Sequence, residues 1–174
     1  MSTSPVPTLL ESFRAHALSQ GLTNRKSKAY KEQRRLWLAD KVTTGFAEQF
    51  GADVYSLSNW KKLCVTIGIE GASGFTSITQ CQESLKGKYI NLVDLVDAAN
   101  ADKVIIKPNP FPDPKKLAKY IVRTEKVYPL NRAKSNPLLR QFLISVRDNL
   151  GRRKKGKKGR KNPAQKPGNS SGAQ

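Results

Sequence analysis

Apolar residues recur at every fourth position from Leu38 through Val42 and Phe46 to Phe50, and Gly51 follows at once. At 3.6 residues per turn such spacing gathers the side chains into one stripe along a helix, and a glycine just past the stripe is a helix stop. Tyr30 and Trp37 extend the stripe toward the N-terminus, and Asn24 is a candidate cap, which predicts a helix over roughly 25–50. A stripe of that length must be buried against other apolar faces. The rest of the chain supplies helical faces and almost no alternating strand pattern.

Thr8, with Glu11 three residues on, predicts a capping box for a short helix whose apolar positions are Leu9, Leu10, Phe13 and Leu18, stopped by Gly21. Ser56 precedes Leu57, Trp60, Leu63, Cys64 and Ile67 on one face, with Gly68 after them. Ile78, Cys81 and Leu85 place a further helix at about 77–86, ended by Gly87. The run Asn91–Asp97 has Asn91 and Asp94 in capping-box register and predicts a short buried helix over 91–99, with a strand as the alternative for so short an apolar run. Val104, Ile105 and Ile106 could form a minor extended segment within 103–111. Prolines then interrupt regular structure until Asp113-Pro114, a cap followed by a first-turn proline, opens a helix through Leu117, Tyr120 and Ile121. A turn at Tyr128-Pro129 leads to the same signal at Asn136-Pro137 and a last helix through Leu138, Leu139, Phe142, Leu143, Val146 and Leu150. The fold class this predicts is all-α, a compact bundle of about six to seven short helices over 9–150, between a disordered N-terminus at 1–8 and a disordered basic tail at 151–174. Hydrophobic residues make up 37% of the chain, enough for one core of that extent but not for a core running end to end.

Several of these blocks, taken in order, resemble a family of short, uncharacterised fungal proteins. The shared pattern is Phe50-Gly51-x-Asp53, Leu57-x-x-Trp60-x-x-Leu63-Cys64-x-x-Ile67-Gly68-Ile69, Cys81, Asn91-Leu92-Val93-Asp94-Leu95-Val96-Asp97, Tyr128-Pro129-Leu130 and Leu138-Leu139-Arg140-x-x-Leu143. It covers a little over half of the chain, from Phe46 to about Val146. The resemblance implies a compact helical unit in a fungal protein and lends no catalytic residues.

Charge is the feature that suggests a partner. The formal net charge is +19, yet residues 51–100 hold four Lys/Arg against five acids, while Gly151–Gln174 holds nine Lys/Arg and no acid. The tail's cations centre on Arg152, Arg153, Lys154, Lys155, Lys157, Lys158, Arg160 and Lys161. Interspersed glycine and proline oppose a helix there, leaving a polycation that can neutralise phosphates with little choice of sequence. The same run reads as a nuclear or nucleolar import signal. A second basic cluster, Arg25, Lys28, Lys31 and Arg35 together with Lys26 and Arg34, covers the polar face at the start of the long helix, where the alternative is ordinary solvation. The expected partner is nucleic acid, DNA or RNA, or an acidic protein. The competing reading is a helical protein-interaction module whose tail is only an address.

Catalytic constellations are sparse. His16 is the single histidine and has no orienting partner nearby in sequence. Asp94 and Asp97 would share a helix face and read as capping and dipole groups rather than as paired catalytic carboxylates. Gly71-Ala72-Ser73-Gly74 lacks a Walker lysine and the dinucleotide pattern. Trp60 reads as core. Cys64 and Cys81 are too few for a disulfide framework or a zinc site and read as buried thiols. The reading is non-enzymatic, with no cofactor or metal, no membrane span and no secretory signal.

Overall fold

The computed structural model describes residues 6–105, 109–129, 131–132 and 136–143. Among them the chain is all-α. The helices are α1 (Leu9–Ser19), α2 (Lys28–Phe50), α3 (Leu57–Ile67), α4 (Ile78–Leu85), α5 (Leu92–Asn100), α6 (Pro114–Thr124) and α7 (Pro137–Arg140), and Ala72–Gly74 forms a 3-10 turn. Residues 1–5 of the N-terminus predicted over 1–8, Ile106–Pro108, the end of the last helix through Val146 and Leu150, and the tail at 151–174 lie outside the described residues.

The local start signals act as read at α1 and α3. The Thr8 hydroxyl accepts from the Glu11 N–H and the Glu11 carboxylate accepts from the Thr8 N–H, closing a capping box. Ser56 and Ser77 cap α3 and α4 through their hydroxyls, and Gln80 completes the box at α4. Gly68 holds φ +83 at the end of α3, and a Cβ there would stand 2.9 Å from Val104 Cγ1, so the left-handed turn and the close approach both require glycine.

Two helix boundaries and one helix face differ from expectation. The long helix begins at Lys28, capped by Ser27, whose hydroxyl accepts from the Tyr30 N–H at 3.1 Å. Asn24 instead accepts from the Lys26 N–H two residues on, a local Asx turn that competes with capping. Leu18 is 65% exposed, and Ala17 is buried in its place. Counting from Phe13, position 17 stays on the buried face whereas 18 has rotated off it. The last helix closes at Arg140, where Phe142 and Leu143 donate backward by three residues, to Leu139 and Arg140.

The extended segment does not become a strand among the described residues. Ile105 donates a single hydrogen bond to the Thr66 carbonyl at 2.7 Å, and Tyr89 and Phe111 form an isolated antiparallel bridge.

The predicted stripe of α2 is the centre of the main core. Leu38, Val42, Phe46 and Phe50 are buried with Trp60, Leu63, Cys64 and Ile67 of α3, Cys81 and Leu85 of α4, Leu92, Val93, Leu95 and Val96 of α5, and Leu138 and Leu139 of α7. The most extensive helix–helix packing is α2 against α5. Gly45 permits that approach, since a Cβ there would lie 2.7 Å from Val96 Cγ1. Trp60 is buried as predicted and donates from Nε1 to the Val54 carbonyl at 2.8 Å. Two satellite clusters flank the core. Phe13, Ala17 and Tyr30 join α1 to the first half of α2, and Phe111, Leu117 and Ile121 seat α6.

Candidate nucleic-acid interface

The basic face that the sequence predicts is split: Lys28, Lys31, Arg34 and Arg35 lie on the first turns of α2, while Arg25 and Lys26 lie in the turn before it, and these cations do different things. Arg25, Lys26, Lys28 and Lys31 are exposed. Arg35 is turned onto Glu32 at 2.7 Å, one helical turn away on the same surface, which holds the Glu32 carboxyl below its ordinary pKa and the guanidinium above its own. Arg34 pairs with Glu125, just past α6, and lies 5.9 Å from the centre of the Tyr30 ring. Arg25 thus joins Arg14 and Arg34 around a small hollow of about 70 Å³ that Thr124 and Glu125 also border.

α6 supplies a basic face that the sequence reading left unassigned. Asp113 caps it through the Lys115 N–H and Pro114 occupies its first turn. Leu117, Ala118 and Ile121 are buried, while Lys115, Lys116, Lys119 and Arg123 are exposed on the opposite side. At 100° per residue all four cations fall within roughly a third of the helix circumference. Lys116, Lys119, Arg123, Phe111 and Tyr120 line a hollow of about 200 Å³ with no acid among them. The rings of Phe111 and Tyr120 are 5.1 Å apart, and the Arg123 guanidinium sits 5.9 Å from the Tyr120 ring centre. The signal is local in the sequence: Lys115, Lys116, Lys119 and Arg123 stand off the face set by Leu117 and Ile121.

Asp94 holds the α6 face in place. Its carboxylate pairs with Lys126 and accepts from Asn109 Nδ2 at 2.7 Å and from the Tyr120 hydroxyl at 2.8 Å. Burial, together with the adjacent carboxylate, pushes the Tyr120 phenol well above its ordinary pKa. The expected reciprocal cap with Asn91 is therefore not made. Asn91 caps α5 alone, accepting from the Val93 and Asp94 N–H groups, and its own N–H donates to Asn109. The Asp side chain is a methylene shorter than the Glu that a capping box favours, and three tertiary donors compete for it.

Asp97 caps a different helix from its own, accepting from the Leu9 N–H at 2.7 Å at the start of α1. Its other oxygen is buried with no hydrogen-bond partner among the described residues. Burial pushes its pKa up to about 6, against the Leu9 hydrogen bond and the Lys126 charge, which act to lower it. A carboxyl whose folded pKa lies above the unfolded value of 3.8 favours the fold more as it takes up its proton. Stability should thus rise between about pH 7.5 and about pH 5, by about 1 kcal/mol after allowance for solvent screening, or on the order of 3 °C in Tm. Thermal melts of the native chain and of Asp97→Asn across that range test this: the variant should lose the rise.

The remaining sequence candidates sort plainly. His16 is exposed and its ring lies 6.5 Å from that of Trp37. Cys64 and Cys81 are buried free thiols, and burial pushes Cys64 up to about 11, which leaves it a poor nucleophile. No group of His, Cys, Asp or Glu that could hold a metal occurs among the described residues, and no helix there is long and apolar enough to cross a membrane. The eight tail cations from Arg152 to Lys161 lie outside the described residues. Compared with family models, curated proteins and solved structures, the chain matches none.

Proposed function

We propose that this chain is a non-enzymatic nucleic-acid-associated protein. In this reading the polybasic arm supplies most of the affinity, and the basic faces of α2 and α6 add contacts from the folded body. The observation that carries the reading is the distribution of charge: nine Lys/Arg and no acid in Gly151–Gln174, in a chain of net charge +19. Phosphate neutralisation with counterion release gives such an arm affinity without sequence choice. Arg25, Lys28 and Lys31 stay in the proposed interface because they are exposed. Arg35 contributes less, being paired with Glu32. The same tail run, as an import signal, would take the protein to the nucleus or nucleolus.

Fluorescence anisotropy of the full chain against labelled DNA and RNA at low salt tests the reading. Binding with Kd of about 1 μM or tighter is expected, at or below the tight end of ordinary non-specific affinities. Absence of binding to either would overturn it and leave the helical body as a protein-interaction module whose tail is an address.

A further inference from the structure

We propose that the hollow along α6 seats an unpaired nucleobase, with Lys116, Lys119 and Arg123 on the flanking phosphates, so that the folded body selects single-stranded over duplex nucleic acid. The inference rests on the nucleic-acid reading above and assigns it a place and a strand preference.

The hollow's lining is divided in the way such a ligand requires. Its volume of about 200 Å³ is that of several water molecules at about 30 Å³ each, room for a flat heterocycle. Phe111 is 7% exposed and forms an apolar floor. Tyr120 is held by its hydroxyl on Asp94, so its ring is fixed before any ligand arrives. The Arg123 guanidinium lies at the Tyr120 ring, and a planar guanidinium is itself a surface on which a base can stack. Lys116 and Lys119 complete the rim, and no acid interrupts it. An aromatic floor with cations at its edge is the arrangement by which single strands are held.

A duplex fits this surface less completely. Its bases are stacked inside, so its phosphates could meet the lysines while the hollow stayed empty. The tail would not create a preference for single strands, because a polycation gains more from the denser charge of a duplex. A single-strand preference in the full chain would therefore report the folded body.

The test uses the full chain with labelled, unstructured single-stranded RNA and DNA and a duplex of equal length. Single strands of both kinds should bind at least about fivefold tighter than the duplex, a fraction of what base stacking is worth. The double variant Lys116→Glu/Lys119→Glu changes two exposed side chains and should retain the native circular dichroism spectrum. It should lose about tenfold in single-strand affinity, and the preference should vanish. A control of equal charge change, Lys62→Glu/Lys86→Glu on α3 and after α4, should weaken all ligands alike and keep the preference. Equal binding of single strand and duplex by the native chain would overturn the inference while leaving the general reading intact. A preference that survives the α6 variant, or that the control removes equally, would also overturn it. No binding to any ligand would overturn both.

Discussion

Trp60→Ala should lower the free energy of unfolding by about 3–5 kcal/mol, the usual loss for a large aromatic removed from a core. Trp60 is 1% exposed in the middle of α3, between the α2 stripe and the end of the described chain, where its ring stands 6.4 Å from Phe142. Truncation would remove that contact, open a cavity beside Phe46 and Phe50, and leave the Val54 carbonyl without the indole N–H that now donates to it. Because native domains are stable by only about 5–15 kcal/mol, the variant should unfold at a much lower denaturant concentration. Urea titration followed by circular dichroism measures this. A midpoint within about 0.3 M of the native one would contradict the core described here. By contrast Tyr55, 86% exposed in the same segment, should tolerate alanine with a change within about 0.5 kcal/mol.

What could be read from the sequence follows from how local each signal is. The α2 stripe, the Thr8 box, the serine before Leu57 and the stop at Gly68 all depend on residues within a turn or two of one another, and each acts as expected. Asn24 and Ser27 are both good caps three residues apart, and which one wins is decided by the turn that Asn24 makes with Lys26. Asp94 leaves the capping role its spacing suggests because its partners Asn109, Tyr120 and Lys126 lie 15, 26 and 32 residues away. Asp97 reaches 88 residues back to Leu9. No periodicity encodes such pairings. The α6 hollow has the same origin: its cations form a local pattern, but Phe111 reaches it through the bridge to Tyr89, which only the folded chain brings about.

Removing residues 151–174 should weaken nucleic-acid binding by about 100-fold or more near physiological salt. The deletion takes away nine of the 32 Lys/Arg and no acid. If about six of those cations engage phosphates, they carry most of the counterion release on which non-specific binding depends. The helical body should keep its fold, since the packed core draws its residues from Leu9 to Leu143. What remains should be weak binding through α2 and α6, with whatever strand preference the body has. Comparing the full chain with one ending at Leu150 in the same buffer measures the loss, and circular dichroism of both checks that the body is unchanged.

The central claim is that the arm binds by neutralising phosphates, and the most direct measurement is the salt dependence of duplex affinity for these two chains. The full chain should show log affinity falling against log salt with a slope steeper by about 5 than that of the chain ending at Leu150, whose own slope should be about −2 or shallower. A flat dependence in the full chain, or the same slope and affinity in both, would contradict the account.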